Sequence, residues 1–213
     1  MNDLKNHWDT VYTTKASEDV SWFQEIPALS LRMLEAIQPP KDARILDVGG
    51  GDSRLVDHLL AEGYQNITVL DISASAIQRA KDRLGEKASC VQWVVADILD
   101  FQPTEAFDLW HDRAAFHFLV TPEAIERYLS IADQALIPQG RMILATFAAD
   151  GPDRCSGLPV HRYSEDELSS ALQAHFRKEE CVEDIHLTPS KKSQNFLCCR
   201  FQRPAPSETR VSS

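Results

Sequence analysis

The chain has 213 residues, 43% of them hydrophobic and 25% charged, which suits a single globular domain with a proper core. A net charge of −10 with no basic stripe argues against a nucleic-acid substrate and is compatible with a small molecule or a basic protein target. No apolar run is long enough to cross a bilayer, the first residues lack the apolar stretch of a secretion signal, and five cysteines without framework spacing read as free thiols, so the cytoplasm is the expected location.

Residues 1–40 carry no early strand. They hold Trp8, Tyr12, Trp22 and Phe23, then Leu29, Leu31, Leu34 and Ile37 at roughly helical spacing before Pro39-Pro40. A strand begins at Arg44, and Ile45 to Val48 have the apolar, β-branched character of a buried one. Gly49-Gly50-Gly51 follow, a turn in which the backbone can approach a ligand with no Cβ in the way. Beyond Ser53, Leu55, Val56, Leu59 and Leu60 recur at helical spacing. Strand, glycine turn and helix together make a nucleotide-cradling unit. The long side chain of Arg54 stands where a dinucleotide site needs a small residue, which argues against a pyrophosphate.

A second strand, Ile67 to Leu70, ends in Asp71 and Ile72, about 20 residues past the glycines, where a carboxylate can hold ribose hydroxyls. The helix after it carries Ala76, Ile77, Ala80 and Leu84, with Ser73 or Ser75 as its cap. A third strand, Val91 to Val95, leads to Asp97 and Ile98, suited to an adenine amino group and ring face. Phe107 to Trp110 form a fourth strand. Thr121-Pro122-Glu123 then open a helix whose apolar face is Ile125, Tyr128, Leu129, Ala132 and Leu136. A fifth strand spans Arg141 to Phe147. The stretch from Ala148 to Arg162 reads as a loop, and Ser164 with Glu167 as a capping box. Two last strands, about Lys178 to Leu187 and Asn195 to Gln202, are joined too closely for a crossover and must be antiparallel.

These residues resemble the class I S-adenosylmethionine-dependent methyltransferases. Asp47 to Gly51 look like that family's first motif, Asp71 like its ribose-binding acid, and Asp97-Ile98 like its adenine-contacting pair. Ser53 departs from the pattern, standing where the family has a third glycine. The resemblance implies an α/β fold: a Rossmann-like three-layer sandwich with a seven-stranded, mostly parallel sheet ending in an antiparallel hairpin. It also implies a cap over the cofactor site at residues 1–40 and a methyltransferase domain at 41–203. A tail at 204–213 reads as disordered.

The expected cofactor is S-adenosylmethionine, with S-adenosylhomocysteine as product. It would be held by Trp22, Asp47, Gly49, Gly50, Gly51, Ser53, Asp71, Ile72, Asp97, Ile98 and His111. His111, Asp112 and His117, after the fourth strand, are the candidates for catalysis; Tyr12, Phe23, Arg113, Arg162 and Tyr163 are those for the acceptor. Cysteines with this placement point to no metal site. A small-molecule acceptor is the first expectation and a protein lysine the second. A third is a regulatory protein that binds the cofactor without turnover. Oligomeric state is left open.

Overall fold

A computed structural model describes residues 2–205. In chain order the helices are α1 (Asn2–Thr14), α2 (Ala28–Ile37), α3 (Leu55–Ala61), α4 (Ala74–Leu84), α5 (Pro122–Ala135) and α6 (Glu165–Leu172). The strands are β1 (Arg44–Val48), β2 (Asn66–Asp71), β3 (Val91–Val95), β4 (Phe107–Arg113), β5 (Leu136–Phe147), β6 (Arg154–Cys155), β7 (Leu158–Pro159), β8 (Arg177–Leu187) and β9 (Ser193–Gln202).

The main sheet has seven strands in the order β3-β2-β1-β4-β5-β9-β8. The first five are parallel; β9 slots in antiparallel beside β5 and carries β8 outside it. This is the expected Rossmann-like three-layer arrangement. It arises because β1, β4, β5 and β9 are apolar on both faces. Ile45, Leu109, Ile143 and Cys198 pack toward α2 and α3, while Leu46, Trp110, Leu144 and Cys199 pack toward α5 and α6. The strand order reverses between β1 and β4, which opens a crevice beyond their carboxyl ends.

Local end signals act as read. Ser73 caps α4 by accepting from the Ala76 N–H, Thr121 caps α5, and Ser164 with Glu167 forms the capping box of α6. Three expectations change, and a fourth falls outside the described residues. Residues 2–14 are helical, laying Trp8 and Tyr12 on one element. Leu136 opens β5 instead of closing α5, because it pairs with Phe107 of β4. The 148–162 segment contains the short β6–β7 hairpin. Of the tail, residues from 206 on lie outside the described residues.

A further change concerns the cysteines. Cys181 and Cys199 stand opposite one another across β8 and β9 and are joined by a disulfide, so they are not free thiols. Cys90, Cys155 and Cys198 are free. The bond links residues 18 apart in sequence, and closing a loop of that size is worth about 3 kcal/mol. Reduction, or Cys181→Ser, is therefore expected to lower Tm by about 6–12 °C. A melt with and without reductant checks this, and an unchanged Tm would show that the link adds no stability.

Candidate active site

Two adjoining cavities open into the crevice. They share Tyr12, Trp22, Val48, Gly49 and Arg113 as common walls. The first adds Phe23, Asp47, Gly50, Ser53 and His111; the second adds Asp71, Ile72, Asp97, Ile98, Ala115 and Cys155.

The glycine turn is the floor. Gly49 has φ +65° and Gly51 φ +39°, conformations that glycine adopts without strain. A Cβ on Gly50 would lie 2.5 Å from Asp47 Oδ2, and one on Gly51 would lie 2.6 Å from Asp71 Oδ2. The turn therefore brings backbone against two carboxylates, at the ends of neighbouring strands. Gly51 itself lines neither cavity, and Ser53 opens α3 by accepting from the Leu55 N–H at 3.2 Å.

Asp47 is buried, and its two oxygens differ. Oδ1 accepts from His111 Nδ1 at 2.7 Å, which leaves Nε2 to accept from the Ser30 hydroxyl at 2.8 Å in the neutral ring. Oδ2 is buried with no partner. A buried orphan carboxylate oxygen costs free energy unless something fills the cavity beside it, and a cationic donor is the group that fits. Asp71 accepts from the Ser73 N–H at 2.7 Å. Burial, with the Asp47 and Asp9 charges nearby, pushes its pKa up to about 7. Asp97 accepts from the Leu99 N–H at 3.0 Å, and Ile98 lies beside it.

The roof comes from the N-terminal segment. Trp8 meets Trp22 and Phe118 edge-on at 5.7 and 5.2 Å, and Tyr12 meets Trp22 at 6.1 Å. Asp9 fastens α1 to the start of α4, accepting from Ser73 Oγ at 2.7 Å and the Ser75 N–H at 3.2 Å. Burial raises the Asp9 carboxyl, but hydrogen bonds from Lys5, Ser73 and Ser75 outweigh it and hold the pKa at about 2. Farther along, Asp52 accepts from Ser17 and from Arg83, while Arg79 donates to the Lys15 carbonyl at 2.6 Å.

Four residues expected in the site lie elsewhere. Asp112 points to the opposite face of β4 from His111 and Arg113. It accepts there from Tyr128 Oη at 2.6 Å and from the N–H groups of Ala115 and Phe116 at 2.8 and 3.2 Å. His117 is fully buried between Phe118 and Phe147, and burial, with Arg113 nearby, lowers its pKa to about 3. Tyr163 is 2% exposed and stacks on Phe116 and His161. Arg162 donates to the Gly151 carbonyl at 3.3 Å and reaches neither cavity. Of the other expected residues all but Gly51 line the cavities, Tyr12, Trp22, Phe23, Ile72, His111 and Arg113 among them.

Sequence reasoning passed over Ser30, Asp52 and Ala114. Ser30 is a polar residue on the buried face of α2, the one local sign that it has a polar partner in the core. Ala114 has φ +70°, at a cost on the order of 1–3 kcal/mol. This turn lets the chain deliver Arg113 to the cavity and then present the Ala115 and Phe116 N–H groups to Asp112.

Residues 45–140 match the family model described as a methyltransferase domain. Nodulation protein S of Rhizobium fredii is 30% identical over 144 residues, 68% of this chain and 78% of that protein. Malonyl-[acyl-carrier protein] O-methyltransferase 2 of Ilyobacter polytropus is 31% identical over 107 residues, 50% of this chain and 40% of that one. The chain spans only 20–42% of the length of four of the curated relatives it matches, among them eEF1A lysine and N-terminal methyltransferases of Bos taurus and Mus musculus. Among solved structures, the N-methyltransferase NodS from Bradyrhizobium japonicum WM9, in complex with S-adenosylhomocysteine, has the same fold: TM-score 0.70 at 18% identity, covering 92% of this chain and 98% of that one. The chain belongs to the class I S-adenosylmethionine-dependent methyltransferases.

Proposed function

We propose that the protein methylates a small molecule, with residues 1–40 as a cap over the cofactor. The orphan Asp47 Oδ2 beside the glycine turn carries the cofactor reading, since it asks for a cationic partner such as the cofactor's ammonium group. Asp71 would accept from the ribose hydroxyls. Asp97 and Ile98 would take the adenine, with Ile72 and Leu119 as apolar walls. When bound, S-adenosylmethionine supplies a methyl group on a positively charged sulfur, ready for in-line displacement. The protein's part is alignment, worth roughly 7–11 kcal/mol, and the aromatic faces of Trp22 and Tyr12 favour the cation.

His111 acts here as a positioning residue. With Nδ1 bonded to Asp47 and Nε2 to Ser30, it orients the carboxylate and has no free nitrogen for an acceptor proton. Burial keeps the Cys155 thiol protonated, its pKa pushed up to about 11, and raises the Tyr12 phenol well above its usual value. The wall therefore suits an acceptor already nucleophilic at working pH. The cavities sit inside the roof of Trp8, Tyr12 and Trp22, which favours a small molecule over a lysine on a folded protein.

The test is methyl-labelled cofactor incubated with the protein and a size-fractionated cell extract. Label in the small-molecule fraction supports the proposal. Label in protein moves the acceptor to a lysine side chain, and tight binding without any transfer makes the protein a regulatory cofactor binder.

The Asp71 assignment predicts a proton-linked affinity. In the free protein Asp71 titrates near 7, so at pH 6 most of it is protonated. Ribose hydroxyls that donate to the carboxylate favour the ionised form, so binding pulls the proton off. Affinity for S-adenosylhomocysteine should rise by up to tenfold per pH unit below 7 and flatten above 8. Calorimetry in buffers of different ionisation heat should show up to one proton released at pH 6. Asp71→Asn should weaken binding at pH 8 by roughly 10- to 100-fold and abolish the slope. A slope that survives in Asp71→Asn would remove this residue from the site.

A further inference from the structure

Arg113 ends β4 and reaches into the wall common to both cavities. Its Nη1 donates to the Trp22 carbonyl at 3.1 Å, and its guanidinium lies 5.0 Å from the centre of the Phe196 ring. Nη2 is buried with no partner, and among the described residues no carboxylate forms an ion pair with it. Burial lowers its pKa only to about 10, so the group stays charged at neutral pH. A buried, half-satisfied guanidinium is costly, and the cost is relieved by an anion placed beside it.

Strand order says which molecule brings that anion. Asp71 ends β2 and Asp97 follows β3, both on one side of β1. Arg113 ends β4 on the other side of β1, and its guanidinium leans over Phe196 of β9, beyond β5, while it also forms part of the wall of the compartment that holds the two acids. The neighbouring wall is aromatic and amphipathic, with Trp22, Phe23 and Gln24. We propose that Arg113 holds a carboxylate of the methyl acceptor, so that the substrate is a small carboxylic acid recognised as its anion. The planar fork of the guanidinium suits that group. A carboxylate is also fully ionised at neutral pH, in keeping with a wall that lacks a free base. This inference rests on the methyltransferase reading above.

The test uses calorimetry on the full chain saturated with S-adenosylhomocysteine. Benzoate and phenylacetate are the probes, with benzamide and phenylacetamide as neutral counterparts. The wild type should bind the carboxylates at least tenfold more tightly than the amides. Arg113→Gln should erase that preference and Arg113→Lys should keep part of it, while both hold S-adenosylhomocysteine within threefold of wild type. The preference is a ratio that a merely structural role would not move. If Arg113→Gln does not fold, the wild-type ratio and the lysine variant decide.

Equal binding of acids and amides by the wild type, or a preference untouched in Arg113→Gln, overturns the proposal. So does a tenfold loss of S-adenosylhomocysteine in a folded Arg113→Gln, which would give the guanidinium to the cofactor's own carboxylate. A wild type that does not bind S-adenosylhomocysteine at all overturns the underlying cofactor assignment, and this inference with it.

Discussion

Alanine at Gly50 is expected to weaken S-adenosylhomocysteine binding by 100-fold or more, about 2.7 kcal/mol or greater. Its Cβ would sit 2.5 Å from Asp47 Oδ2, 2.8 Å from Asp47 Cγ and 2.9 Å from Val69 Cγ1. None of these can retreat easily, since Asp47 is 2% exposed and Val69 1% exposed. The carboxylate must swing away, and that removes both the proposed ammonium contact and the hydrogen bond to His111. Losing a charge-assisted contact costs about 1.5–3 kcal/mol, and overpacking adds about 1–3 kcal/mol. Calorimetry for affinity and a thermal melt for integrity separate the two effects. A folded Gly50→Ala that binds within threefold of wild type would show that Asp47 and the turn do not hold the ligand.

The parts of this site that were legible in the sequence are those built from neighbours in the chain. Asp47 and Gly49 to Gly51 are contiguous, and Asp71 and Asp97 each follow a strand that ends in a turn, so their place at the crevice follows from local pattern alone. The caps at Ser73, Thr121 and Ser164 were legible for the same reason. Asp112 was misplaced because residue type was weighed above alternation. In a strand, side chains two apart share a face, which puts His111 with Arg113 and sends Asp112 to the other side. His117 and Tyr163 were misplaced because nothing local says that a short turn folds back onto β5. The clasp from Asp9 to Ser73 and the Ser30–His111 bond join residues 64 and 81 apart. The Cys181–Cys199 pairing depends on the register of β8 and β9. None of these has a signature within one window of sequence.

Asp112→Ala is expected to cost about 3–5 kcal/mol of stability, the scale of losing the hub of a buried hydrogen-bond network. Three donors converge on that carboxylate: Tyr128 Oη and the N–H groups of Ala115 and Phe116. Tyr128 Oη in turn accepts from Trp110 Nε1 at 2.8 Å, so the loss reaches one of the largest fully buried side chains. A domain is stable by only about 5–15 kcal/mol, and this variant should melt far below wild type. Asp112→Asn keeps the shape and should lose much less, while retaining cofactor affinity.

The pH dependence of that difference has a definite sign. Burial, outweighing the hydrogen bonds from Tyr128, Ala115 and Phe116, raises the Asp112 pKa to about 6. Between about 4, where the unfolded residue titrates, and about 6, the folded state holds a proton that the unfolded chain has released. The contribution of Asp112 to stability therefore falls as pH rises through that window and levels off above it. Asparagine does not titrate, so wild type should lose its advantage over Asp112→Asn on going from pH 4 to pH 7. Denaturant melts at the two values measure this. A wild-type advantage that grows with pH instead would mean that the folded protein holds Asp112 ionised, and a folded Asp112→Asn that binds cofactor but transfers no methyl group would restore its catalytic assignment.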